Sequence, residues 1–98
     1  QIAQYGQKHF GMYSGREVTV TLRGRRSMAG VVWDRFGQEV ILVPDGEDHF
    51  TVTLPVVMSP QFFGWIFGLD GGLVLTAPPS AVTEYRRRLT SALEESEP

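Results

Sequence analysis

From Glu17 to Arg23 the chain alternates, with Val18, Val20 and Leu22 on one side and Thr19, Thr21 and Arg23 on the other. Period-two alternation places successive side chains on opposite faces of an extended chain, so this segment predicts a strand with one buried face. Met28 to Phe36 follows behind Ser27 and stops before Gly37. A serine suits the N-cap and a glycine the C-terminal stop, so the segment predicts a helix. Its apolar arc spans about 200°, wider than the roughly 100° stripe of a surface helix. Glu39 to Val43 is dominated by a continuous apolar run, Asp45-Gly46 is a turn signal, and His49 to Val57 alternates again. These predict a hairpin with Phe50, Val52, Leu54 and Val56 inward and Thr51 and Thr53 outward.

Ser59-Pro60 marks the next helix, with Ser at the N-cap and Pro at the first helical position. Phe62, Phe63, Trp65, Ile66, Phe67 and Leu69 again cover an arc of about 200°, while Gln61, Gly64 and Gly68 form a narrow small-residue stripe opposite. Asp70-Gly71-Gly72 breaks the pattern, Leu73 to Leu75 reads as a short strand, and Ser80 reads as the cap of a last helix. There Ala81, Val82, Tyr85, Leu89, Ala92 and Leu93 fall within about 120°, an ordinary docking face. The predicted order is strand, helix, strand, strand, helix, strand, helix. It implies an α+β class, namely a ferredoxin-like βαββαβ antiparallel sheet with an additional C-terminal helix. The expected strand order is 4-1-3-2, with helices 27–36 and 60–69 on one face and the strand Val40 to Val43 at an edge. That edge would expose either Val40 and Leu42 or Ile41 and Val43, a surface that monomers rarely leave bare.

Residues 1–16 contain three glycines and no sustained period. They read as a linker or the tail of a preceding domain, with the folded domain at 17–98. At 98 residues and with no cysteine the chain carries one core and no disulfide framework or thiolate metal site. The chain starts at Gln1 rather than Met, so a parent protein beginning upstream is expected. No apolar run approaches the roughly 18 residues of a membrane span, and no membrane partner is expected. The absence of cysteine fits a reducing compartment, and a cytoplasmic location is expected.

Charge redistributes the picture. The net charge is −2, which by itself points to neither nucleic acid nor an anionic membrane. Residues 1–43, however, hold Lys8, Arg16, Arg23, Arg25, Arg26 and Arg35 against only Glu17, Asp34 and Glu39. Arg23, Arg25 and Arg26 stand at a strand end and a helix start, where guanidinium groups and free backbone N–H groups could meet an anion or nucleic acid with help from Arg16. The competing reading is solvated arginines offsetting the acidic hairpin. Arg86, Arg87 and Arg88 are consecutive on a helix and diverge by about 100° each, so they make no single patch.

Catalytic inventories fail. His9 and His49 are the only histidines, too few for a metal centre without converging carboxylates. Ser27, Ser59 and Ser80 are explained as caps, and the carboxylates of Asp45, Glu47 and Asp48 belong to a turn. The chain has no Asn, which removes an acylphosphatase-like arrangement. A sheet whose outward positions are threonines offers no aromatic platform on which bases could stack. No enzyme activity, metal or cofactor is therefore expected. The aromatic helix is the second candidate surface: Trp65, with Gly64 and Gly68 permitting close approach, would anchor a partner, joined by Ile41 and Val43 at the edge.

Four segments in order carry a resemblance. They are Phe10 to Arg23, Ala29 to Gly37, Asp48 to Thr53 and Ser59 to Leu69. Together they look like the C-terminal extension domain of WYL-domain bacterial transcriptional regulators, over about residues 9–95. The resemblance implies a parent with a helix-turn-helix domain and a WYL domain, which would be this domain's partners in the chain. DNA would be met through the parent only. It implies a homodimer and a regulatory role that couples effector sensing to DNA binding. Two alternatives stand beside it: an ACT-like small-molecule sensor, and direct anion or nucleic-acid contact through the Arg23–Arg26 cluster.

Overall fold

A computed structural model describes residues 16–96. The elements are β1 (Glu17–Arg25), a 3-10 turn (Arg26–Met28), α1 (Ala29–Phe36), β2 (Val43–Asp45), β3 (His49–Val57), α2 (Pro60–Gly68), β4 (Leu73–Ala77) and α3 (Pro79–Glu95). The class is α+β, with a four-stranded antiparallel sheet in the order β2-β3-β1-β4. Of the expected tail at 1–16, residues 1–15 lie outside the described residues, and Arg16 is joined to the fold through its carbonyl.

Alternation in β1 and β3 sets the core. Val18 pairs with Val56, Val20 with Leu54, Leu22 with Val52 and Gly24 with Phe50, so every inward residue of one strand meets an inward residue of the other. Leu75 and Leu73 of β4 extend the same rows beyond Leu22 and Gly24. Val32 from α1 and Phe62, Phe63 and Ile66 from α2 close over them in one continuous cluster. Both helices therefore lie on the same face, as the inward rows required. Val20, Leu22 and Val32 are wholly buried. The opposite face presents Thr19, Thr21, Arg23, Thr51, Thr53, Val74 and Thr76. There Thr21 Oγ1 lies 3.0 Å from Thr53 Oγ1, and the Thr76 hydroxyl donates to the Thr21 carbonyl at 3.1 Å.

Local expectations hold unevenly. Ser59 caps α2, its Oγ accepting from the Phe62 N–H at 3.4 Å, with Pro60 in the first turn. Ser27 does not cap α1: it sits inside the 3-10 turn, and Met28 takes the cap position with no side-chain hydrogen bond. Ser80 does not cap α3 either, because Pro79 already begins that helix, as a proline with no N–H to satisfy can. β1 runs two residues further than expected, to Arg25. Gly24 makes this possible, since a Cβ there would collide with the Leu73 and Phe50 side chains. The edge strand moves from Val40–Val43 to Val43–Asp45. Val40 is lost to the ladder: its carbonyl accepts the Trp33 indole N–H at 2.9 Å, and its N–H donates to the Gly37 carbonyl at 3.3 Å. Gly37 itself adopts φ +112°, a backbone state that L side chains rarely take.

Candidate functional site

The arginine cluster divides between two surfaces. Arg23 and Arg25 alternate with Gly24 along β1 and share the open face of the sheet. Arg26, the first residue after the strand, turns to the acidic hairpin: its backbone N–H donates to the Asp48 carbonyl at 2.9 Å and its Nη1 to the Glu47 carbonyl at 3.2 Å. Arg16 stands at the other end of β1, nine strand residues away, where its carbonyl accepts from the Met58 N–H at 3.0 Å. At about 3.3 Å per residue that is the full length of the strand. The four arginines expected to act together thus do not converge. Arg23 is also partly neutralised, since its Nε–H donates to Asp45 Oδ2 at 2.6 Å.

Two concavities form at this end of the sheet. A cleft of about 590 Å³ is lined by Arg26, Ala29, Leu42, Pro44, Glu47 and His49, among others. It is bounded by the 3-10 turn, the first turn of α1 and the β2–β3 hairpin. A smaller depression of about 120 Å³ lies beside Arg23, Arg25, His49 and Gly72. His49 joins the two, because it pairs across β3 with both Arg25 and Asp45. Counting the histidines only as candidate metal ligands overlooks it. The signal available in the sequence was its place at the first position of a hairpin strand that ends beside the arginines. Among the described residues no group of three or more His, Cys, Asp or Glu could hold a metal ion, and no helix is long and apolar enough to cross a membrane.

The aromatic helix resolves differently from the expected anchor. Phe62, Phe63 and Ile66 are buried at the centre of the α2 arc, with Trp65 and Phe67 at its two edges. α1 lies on the Trp65 side. The Phe36 ring meets Trp65 edge-on at 5.4 Å, and the Arg35 guanidinium lies 5.8 Å from the Trp65 ring centre and 5.6 Å from that of Phe36. Trp65 is therefore half-buried in the α1–α2 seam. Phe67, at the other edge, is 67% exposed. Gly64 and Gly68 are exposed with open space above them. At the β2 edge, Ile41 and Val43 are the outward pair, 78% and 53% exposed, whereas Val40 and Leu42 pack against the core.

α3 docks through its first half. Ala81 is buried, and the Tyr85 ring stacks on Phe63 at 5.4 Å with 16° between the planes. The Arg88 guanidinium lies 5.3 Å from the Phe63 ring centre and pairs with Glu84 at 3.6 Å. Burial pushes the Tyr85 phenol above its usual pKa. Ile66, Phe67, Val74, Tyr85, Arg86 and Leu89 border a groove of about 310 Å³ between α2, β4 and α3.

These features define an α+β domain whose charged and apolar side chains are distributed over exposed surfaces around a sheet with one open face. A family model described as the WCX domain matches residues 16–93. The chain belongs to the WCX family, the C-terminal extension domain of WYL-type regulators. No curated protein and no solved structure matches the chain.

Proposed function

We propose that this chain is a regulatory and dimerisation domain of a WYL-type bacterial transcriptional regulator, acting in the cytoplasm without catalysis. It would couple effector sensing in the parent to a DNA-binding domain outside these residues. The observation that carries the reading is the WCX match over residues 16–93. The exposed Ile41 and Val43 at the short β2 edge support it, since an uncovered apolar sheet edge is a ready surface for another domain or subunit. The ferredoxin-like topology belongs to the same proposal. It is supported by the order β2-β3-β1-β4 and by two crossover helices packed on one face of the sheet.

A second reading, small-molecule sensing, is favoured by the cleft at Arg26, Glu47 and His49, which combines a cation, an imidazole and apolar walls from Ala29, Leu42 and Pro44. The test of the main reading uses the parent regulator with and without residues 16–96. Removing the domain is expected to lower the oligomeric state in sedimentation and to abolish effector-dependent changes in operator affinity. A truncated parent that keeps both would defeat the proposal. A thermal shift of the isolated chain with small organic acids, lost in Arg26→Ala, would favour sensing by this domain itself.

A further inference from the structure

α3 is longer than the surface that holds it. Its 17 residues extend about 25 Å, yet Ala81 is its only buried residue, and every residue from Arg86 to Ser96 is exposed. The apolar positions do not stop where the contact stops. Val82, Tyr85, Leu89 and Ala92 follow the 3-4-3 spacing of a helix-pairing seam, with Leu93 beside it. Val82 and Tyr85 pack against the core, Leu89 is 37% exposed at the groove, and Leu93 is 73% exposed beyond it. A helical segment of this length has little stability of its own in water, so a stripe continuing past the body implies a second surface for its outer half.

The charges flanking the stripe identify that surface. On one flank Arg88 and Glu95 stand seven residues apart, two helical turns, with Leu89 and Ala92 between them along the seam. In an antiparallel pair of identical helices centred on Leu89 and Ala92, Arg88 of each copy faces Glu95 of the other. A parallel pair would instead set Arg88 beside Leu93 of the other copy and leave both charges without an opposite. On the other flank Arg86 and Leu93 face each other, and Leu93 of one copy arrives at the groove mouth of the other, beside its Phe67. Glu95 has no ion-pair partner among the described residues, while Arg88, 42% exposed, is held by Glu84 of its own helix at 3.6 Å and would be shared between Glu84 and the Glu95 of the other copy.

We propose that the projecting half of α3 is a self-recognition surface, pairing antiparallel with α3 of a second copy of this chain through Leu89, Ala92 and Leu93 and the reciprocal Arg88–Glu95 contacts. This rests on the dimerisation reading above and gives it a specific surface. The interface is isologous, so one substitution acts twice in each dimer.

The experiment is sedimentation velocity on the 98-residue chain over a concentration series reaching the high micromolar range, with circular dichroism confirming the fold of every variant. The unmodified chain is expected to self-associate. Arg88→Glu and Glu95→Arg are each expected to weaken association at least about tenfold, because each places like charges at both ends of the pair. Mixed together the two variants are expected to recover a heterodimer, since each then meets its opposite. That recovery cannot arise from damage to the fold. Leu93→Asp should abolish association, and Arg87→Glu, on the face of the helix turned away from the seam, should leave it unchanged. A chain that remains monomeric overturns the proposal. A dimer indifferent to the charge exchanges also overturns it, while leaving dimerisation through another surface in place.

Discussion

Arg23 on β1 and Asp45 on β2 form an ion pair at 2.6 Å although β3 lies between their strands. The register explains the reach. Arg23 stands opposite Thr51, and Asp45 stands opposite His49, two residues along the same strand. The pair thus crosses β3 diagonally over its open face, and the small Thr51 side chain leaves room for it. Its consequence is electrostatic: of the two β1 arginines on this face, Arg23 is already engaged by a carboxylate.

Breaking that pair should therefore affect binding more than folding. Both side chains are 45% exposed, and exposed pairs contribute about 0–1 kcal/mol. Asp45→Asn is expected to lower unfolding stability by no more than about 1 kcal/mol in urea titrations, less at high salt. In calorimetry at low ionic strength the same variant should bind inorganic phosphate more tightly than the unmodified chain. Unchanged phosphate binding would show that Arg23 does not contribute to an anion site.

Gly24 is a close-approach glycine in the middle of the core rows. Gly24→Ala forces a methyl group toward Leu73 and Phe50, and overpacking of this kind costs about 1–3 kcal/mol. Leu73→Ala alone should also destabilise, since Leu73 is buried. The double variant should lose less than the sum of the two, because the second change vacates the volume the first one claims. Strict additivity in chemical denaturation would mean that the two side chains do not compete.

Trp33 holds the loop that shortens β2. Trp33→Phe keeps most of the ring but removes the indole N–H that reaches the Val40 carbonyl. A loss of about 1 kcal/mol is expected, together with faster amide exchange across residues 38–42. If exchange there is unchanged while stability falls, the hydrogen bond is not what fixes the loop.

Tyr85 sets an alkaline limit. Its phenol is raised by burial in the folded chain, so the folded state binds the proton more tightly than the unfolded state. Its contribution is fully present below the unfolded value of about 10 and is lost as pH rises through the interval between the unfolded and folded values. The melting temperature should fall across that interval, and Tyr85→Phe should flatten the fall. Parallel profiles for the two proteins would remove Tyr85 as the cause.

Much of the architecture was legible because alternation is a strong local constraint. In β1 and β3 a one-residue slip would turn Val20, Leu22, Val52 and Leu54 outward, so the inward faces and the side on which helices must pack follow directly from the sequence. Ser59-Pro60 similarly marks the start of α2, since both the cap and the ring act within a single turn. Ser27 and Ser80 match the same local pattern without performing it. The chain before α1 leaves the sheet through a 3-10 turn, and Pro79 begins α3 one residue before Ser80.

Tertiary structure decided which edge of an over-wide apolar helix would be covered. Trp65 and Phe67 are equivalent in the α2 pattern, and α1 happens to pack on the Trp65 side, leaving Phe67 outside. It also decided that Arg26 would part from Arg23 and Arg25, because the direction of a side chain just beyond a strand end depends on the turn that follows. The sequence by itself determined the faces of strands and helices, which depend on periods of two and 3.6 residues within one element. The pairing of Arg23 with Asp45, the burial of Trp65 and the end of the α3 docking surface depend on distances between elements, and those exist only once the sheet and its helices are assembled.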